Sequence, residues 1–272
     1  MVAPNVDRVF AGSVPQLYER YMVPLIFEPY AIDIAARVAR RLPASVLEVA
    51  AGTGGVTRHL ATLLAPAAGI VATDLNQAML DQAASVGTSR PVEWRQADAM
   101  QLPFPDASFD VVVCQFGVMF FPDKPHAFSE ARRVLRPGGA FIFNVWDSIE
   151  DNEFADVVTS AMVPLFPSDP PRFLARTPHG FGDLAVLRRE LAEAGFEREP
   201  EVTTLAARSR AASPDIPAIA YCQGTPLRGE IEARGPARLL EATEAATRAI
   251  ADRFGHGAVD GKIQAHVISV ER

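Results

Sequence analysis

Between Ser45 and Trp146 the chain alternates two rhythms. Short, almost wholly apolar runs rich in β-branched residues are separated by stretches whose apolar positions recur every three or four residues. That alternation predicts βαβ units around a parallel sheet. "SVLEVA" reads as a first strand and "VTRHLATLLA" as the helix after it. "GIVATD" is a second strand, followed by the helix "NQAMLDQAASV" with Asn76 at its cap position. "VEWRQAD" is a third strand and "FDVVVCQ" a fourth, apolar along nearly its whole length as a strand covered on both faces should be. "PHAFSEARRVLRPGG" reads as a helix ended by proline and glycines, and "AFIFNVW" as a fifth strand.

Beyond Trp146 the rhythm breaks. Residues 148–180 are rich in proline, which predicts a short helix and a lid over the sheet's edge instead of one long element. "FGDLAVLRRELAEAGF" is an amphipathic helix closed by Gly195. "PEVTTLAARS" and "KIQAHVISVE" alternate like a pair of antiparallel strands, split by a helical insertion over 213–256. The expectation is one α/β domain over 1–272. It comprises amino-terminal helices (1–44), a ligand-binding core (45–147), a lid (148–180), and a carboxyl-terminal helix with strands (181–272).

Composition narrows the partners. With 49% hydrophobic and 22% charged residues the chain can bury a sizeable core, and no run approaches the roughly 18 apolar residues a membrane helix needs. A net charge of -7 opposes nonspecific attraction to nucleic acid, so Arg37, Arg40 and Arg41 read as a solvated helix face. The two cysteines, Cys114 and Cys222, form no CxxC, and the first residues lack the basic, apolar and small-residue regions of an export signal. A cytoplasmic location is expected. His59, His126, His179, His256 and His266 share no ligand spacing, so no metal is expected.

The chemistry concentrates in "LEVAAGTGG", Leu47 to Gly55. A dinucleotide turn wants GxGxxG, but counting from Gly52 and Gly54 the third position is Thr57. No GK[ST] follows for a phosphate loop. Gly52, Thr53 and Gly54 suffice for a short turn that brings backbone close to a smaller ligand, whose space a valine at Gly54 would fill. Three acids stand at successive strand ends: Glu48, Asp74 and Asp98. In a parallel sheet those ends line one crevice. There Asp74 could accept two ribose hydroxyls, Asp98 could meet an adenine amino group, and Glu48 would favour a cationic ligand.

The runs "VLEVAAGTGGVTRHLA", "VATDLNQAMLDQA", "WRQADAMQLPFPDASFDVVVCQFGVMFFPD" and "EARRVLRPGGAFIFNVW" resemble, in order and spacing, the successive motifs of class I S-adenosylmethionine-dependent methyltransferases. They are most similar to the branch containing ubiquinone and menaquinone biosynthesis enzymes and many small-molecule methyltransferases. The resemblance spans about Val46 to Trp146; Ala50 and Ala51 stand where the family usually has glycine. It implies a Rossmann-like, doubly wound, seven-stranded, mostly parallel sheet with an antiparallel carboxyl-terminal strand, plus helical lid insertions. It also implies S-adenosylmethionine as cofactor and S-adenosylhomocysteine as product. Carried residue by residue, Glu48, Ala50, Gly52 and Gly54, with Thr53 in the turn, would face the methionine part. Asp74 would hold the ribose, and Leu75 and Met79 would pack on the adenine. Asp98 with the Ala99 backbone, and Met100 beside them, would read the adenine edge. Gln115 would lie beside the sulfonium, and Tyr18 or Tyr21 would close over the cofactor.

The place of a [DNS]PP[YFW] motif holds "CQFG", and neither cysteine has the Pro-Cys setting of cytosine methylation, so a small-molecule acceptor is expected. Phe116, Met119, Phe120 and Phe121, with Phe166 and Phe173 from the lid, could line an apolar acceptor pocket. No catalytic base is identifiable, and a homodimer is left open. Two rivals stand beside the enzyme reading. One is a noncatalytic methyltransferase-like binding protein; the other, a nicotinamide-dependent dehydrogenase, is weakened by Thr57 and a missing tyrosine-lysine spacing.

Overall fold

A computed structural model describes residues 10, 12–235 and 237–272. Expectations for residues 1–9, 11 and 236 lie outside the described residues.

A short helix α1 (Val14–Leu17) runs into a π-helical segment, Tyr18–Phe27, and then into α2 (Glu28–Arg40). The core follows as β1 (Ser45–Val49), α3 (Gly55–Leu63), β2 (Gly69–Asp74), α4 (Gln77–Val86), β3 (Glu93–Gln96), β4 (Phe109–Gln115), α5 (Lys124–Val134) and β5 (Leu135–Trp146). After it come α6 (Glu153–Met162), α7 (Phe173–Arg176), α8 (Leu184–Glu193) and β6 (Glu201–Ala211). The helices α9 (Asp215–Gln223), α10 (Leu227–Ala233) and α11 (Arg238–Phe254) then precede β7 (Val259–Glu271).

The seven strands form one sheet in the order β3-β2-β1-β4-β5-β7-β6. The pairs from β3 to β5 are parallel, and β7 runs antiparallel to both its neighbours. This is the doubly wound, mostly parallel architecture with one antiparallel carboxyl-terminal strand that the motifs imply.

Alternation along the central strands builds two cores. Leu47, Val112, Phe141 and Phe143 point to one face, where they meet Phe128, Phe154 and the amino-terminal segment. Val46, Val111, Val113 and Ile142 point to the other, against Ile34 and Val38 of α2 and Val56 and Leu60 of α3. With period-two side chains buried on both sides, the strands must read as continuous apolar runs.

One strand start and one cap depart from the sequence pattern. The fifth strand begins at Leu135, because Arg136 to Gly139 form a bulge: Phe109 pairs with Leu135, but Val111 pairs with Ala140. Asn76 precedes α4, yet its side chain makes no cap bond there. Its Oδ1 instead accepts from the Phe10 N–H, tying the amino-terminal segment to the second strand's end.

The order reverses at β1: β2 and β3 are laid down on one side of it, and the crossover from β3 places β4 on the other. The carboxyl ends of β1 and β4 therefore flank a switch-point crevice. Gly54 seats the helix that leaves it. Its φ is +83°, and a Cβ there would stand 3.0 Å from Trp94 Cη2 and 3.2 Å from the Ala83 Cβ. Its open side thus faces the packing of α4 and β3, not ligand space as the sequence suggested. Gly54→Val should destabilise the fold by about 2 kcal/mol or more, from left-handed strain plus overpacking. Urea unfolding checks it, and an unchanged midpoint would refute this role.

Candidate active site

The first turn is tight because two of its residues, with one between them, leave the right-handed region. Ala50 has φ +55° and Gly52 +57°. Asp74, buried at the end of β2, holds the turn: Oδ2 accepts from the Gly52 N–H at 2.9 Å and Oδ1 from the Asn76 N–H at 2.8 Å. The Ala51 N–H donates to the Thr73 carbonyl. Left-handed alanine costs about 1–2 kcal/mol, which explains why glycine is usual at that position in the family.

Glu48 points to the opposite face of β1 from Leu47 and Val49, towards α3. It is 1% exposed, and Thr57 donates its hydroxyl to Oε2 at 2.6 Å. The residue that breaks the dinucleotide pattern is thus the partner of the first acid. Burial pushes the Glu48 carboxyl up to about 8, outweighing the Thr57 bond and the Arg58 charge, while Asp74 adds to the rise. Burial likewise raises Asp74, against the bonds from Asn76 and Gly52.

These ends open on a cavity of about 1180 Å³, mouth included. At one end stand Ala50, Gly52, Asp74, Leu75, Met79, Asp98, Ala99 and Gln115, all anticipated from the motifs. A smaller recess beside it, lined by Glu48, Thr53, Ala50, Gly52 and Gln115, continues the same wall. Tyr18 lines both spaces. A Cβ on Gly52 would lie 3.6 Å from Met79 Cε and 4.0 Å from Tyr18 Cε1, so these two side chains flank the glycine. Tyr18 stacks on Phe27 with centroids 5.1 Å apart. Burial and then the Asp74 charge raise its phenol. The π-helical turn, with Pro24 inside it, brings Tyr18, Met22, Ile26 and Phe27 onto the cavity side.

The other end is aromatic. Phe116, Phe120, Phe121 and Phe173 line it, joined by Trp146, Tyr221, His179, Asn152 and Thr225, none of which the motifs pointed to. Phe116 and Trp146 stack with centroids 3.8 Å apart and planes 6° from parallel. Phe116 has φ +50°, its N–H fixed by Asn144 Oδ1, so the chain swings outward after β4.

Some anticipated residues stand elsewhere. Tyr21 packs on the core under the Arg20 guanidinium, 5.0 Å from its ring centre. Met100 donates its N–H to Asp98 Oδ1 and does not line the cavity. Met119 is buried in the core beneath it. Phe166 is buried under Arg238, whose guanidinium lies 4.6 Å from its ring.

Among the described residues no group of three or more His, Cys, Asp or Glu could hold a metal. No described helix is long and apolar enough to cross a membrane. An adenosyl sulfonium with an amino-acid tail fits the donor set. Asp74 and Asp98 are acceptors for hydroxyl and amino groups, and Leu75 and Met79 offer apolar surface. Gln115 Oε1 and Thr53 Oγ1 are buried with no hydrogen-bond partner among the described residues, as polar atoms awaiting a ligand would be.

The methyltransferase-domain family profile matches residues 47–143. A ubiquinone/menaquinone biosynthesis C-methyltransferase, UbiE, of Pseudomonas aeruginosa (strain LESB58) is 30% identical over 206 residues, covering 71% of this chain and 76% of that one. The solved structure of BH2331 from Bacillus halodurans C-125 superposes with a TM-score of 0.57 at 20% identity, covering 88% of this chain and 97% of that one. The [4+2]-cyclase SpnF superposes at 0.60 and 19% identity, covering 100% and 97%. The protein is a class I S-adenosylmethionine-dependent methyltransferase. Within that class the chain belongs to the UbiE-like branch.

Two expectations follow. Folded Glu48 keeps its proton from about pH 4.5 to 8, where the unfolded chain has released it, so stability falls as pH rises through that interval. Glu48→Gln, which still accepts from Thr57, should flatten the fall; unfolding free energies across the interval test it. Asp74→Ala should weaken S-adenosylmethionine binding at least tenfold and, by orphaning two turn N–H groups, cost about 1–3 kcal/mol of stability. Calorimetric titration and urea unfolding read the two losses separately.

Proposed function

We propose that the enzyme transfers the methyl group to a small, partly apolar acceptor bound at the aromatic end of the cavity. The observation that carries this reading is the asymmetry of the lining. Both carboxylates, Asp74 and Asp98, stand at the motif end, while the far end is built from Phe116, Phe120, Phe173, Trp146 and Tyr221.

The cofactor supplies an electrophilic methyl group on a good leaving group. The chain's own tasks are alignment and exclusion of water. Tyr18 and Met79 clamp the space over Gly52, and Gln115 lines the cavity at the same end. Residues 148–180 act as a lid, in that Phe173, Leu174, Pro178 and His179 close the far wall. The net charge of -7 disfavours nucleic acid as acceptor. The two buried, unpaired cysteines support a cytoplasmic location.

The likeness to a [4+2]-cyclase keeps a second reading in view, since one fold hosts unlike reactions. Thermal unfolding with S-adenosylmethionine, S-adenosylhomocysteine, NAD and NADP separates the cofactors. The first two should raise the midpoint, with about 2.7 kcal/mol of stabilisation at 100 times the dissociation constant. NAD and NADP should leave it unmoved. Methyl release with a panel of apolar acceptors then distinguishes a transferase from a binding protein.

A further inference from the structure

His179 is the one basic side chain lining the acceptor end among the described residues. It sits in the turn Pro178–Gly180, half-buried, with its ring centre 5.9 Å from that of Trp146. Its Nδ1 lies 3.0 Å from the Asp147 carbonyl oxygen. A carbonyl only accepts, so Nδ1 carries the hydrogen, and in the neutral ring Nε2 keeps a free lone pair. The carbonyl itself is held in place: Asn152 Nδ2 reaches it and bonds the Ser148 and Gln264 carbonyls as well, while Gln264 Nε2 holds the Asp147 carboxylate.

We propose that His179 Nε2 is the proton acceptor of the reaction, and that the acceptor molecule presents a neutral hydroxyl on an apolar body. The inference rests on the methyltransferase reading and deepens it. The oxygen–carbon bond forms as the carbon–sulfur bond breaks, and the carbon–sulfur electron pair stays on sulfur in S-adenosylhomocysteine. The hydroxyl proton passes to Nε2 and from there to water.

Three observations select this chemistry. The far lining holds no lysine, arginine or carboxylate among the described residues, so a phosphorylated, carboxylated or ammonium-bearing acceptor would be desolvated without a counter-charge. There is one base, which suits a transfer where a single proton leaves the atom that receives the methyl group. Methylation at a ring carbon of a phenol needs the hydroxyl proton withdrawn to activate the ring and the ring proton withdrawn afterwards, at two positions. Finally, burial holds the imidazole down at about 4, against the bond to the Asp147 carbonyl and the charges of Glu150 and Asp147, which favour its charged form. The other charged groups nearby are engaged. Arg176 pairs with Glu230, and Lys124 bonds the Phe121 carbonyl and lies over Phe181. A base this weak can deprotonate an oxonium formed on methylating a hydroxyl, but not the far less acidic ammonium formed from an aliphatic amine.

The test uses S-adenosylmethionine with a panel of naphthols, matched naphthylmethylamines and matched naphthoic acids. Naphthols should be methylated on oxygen, and the other two classes should not. His179→Asn, whose amide can still donate to the Asp147 carbonyl, should lose at least a hundredfold in kcat with cofactor affinity unchanged. Its residual rate should climb with pH towards the pKa of the naphthol itself, while the natural enzyme stays flat above about pH 5, past the His179 titration near 4. Independently of any substrate, ¹⁵N spectra of the natural protein at neutral pH should show His179 neutral and protonated on Nδ1. A neutral ring protonated on Nε2, a charged ring, a variant with the natural rate, or methyl groups on nitrogen or carbon would each overturn the proposal. Cofactor binding without methylation of any naphthol would overturn the hydroxyl assignment. Absence of cofactor binding would overturn the transferase reading instead.

Discussion

One carboxylate holds the two halves of the site in register. Asp74 ends β2 and spends both oxygens on backbone, taking the Gly52 N–H with one and the Asn76 N–H with the other. The first bond fixes a turn that would otherwise carry the full strain of a left-handed Ala50 and Gly52 unsupported. The second fixes the start of α4, which brings Met79 across from Tyr18 over the same glycine. A buried acid raised by desolvation is an expensive brace, and its position on the cavity wall is what makes it useful. The same atoms that hold the turn are those a ribose would meet.

Strain recurs at the second strand end of the crevice. Phe116 holds φ +50° beyond β4, as Ala50 holds +55° beyond β1, and the two strands are hydrogen-bonded neighbours. Gly117 fits between them, since a Cβ there would lie 2.6 Å from both the Ala50 Cβ and Cys114 Sγ. Two non-glycine residues in this region mark a backbone that packing has over-determined. The result is a floor with little freedom, on which the aromatic stack of Phe116 and Trp146 can serve as a fixed wall.

The aromatic end is assembled differently, from segments far apart in the chain. Tyr30 donates its hydroxyl to the Leu205 carbonyl on β6, and Asn152 latches the Asp147 loop to β7. Tyr221 and Thr225 arrive on and just after α9, from the insertion between the last two strands. Fold and cofactor chemistry are carried by the sheet's first half. The aromatic part of the cavity is completed by what leans on that half from both termini.

What the sequence by itself determined is what local rules govern. Strand and helix periods, the glycine turn and acids at strand ends are set by neighbours a few residues apart, and they were enough for the sheet and for the cavity wall from Ala50 to Gln115. What only tertiary structure decided is which side chains meet across long separations. No spacing rule distinguishes Tyr18 from Tyr21, and the π-helical turn that brings Tyr18 to the cavity depends on packing against α9 and β6. Gly54 reads as a ligand contact in the motif, yet its open side meets Trp94, forty residues on. Phe166 and Phe173 look equivalent in a proline-rich stretch, and only the docking of Arg238 on Phe166 removes it from the pocket. His179, one of five scattered histidines, gains its place from a carbonyl thirty-two residues away. A pattern records which face of an element is apolar; it does not record which distant element will cover that face.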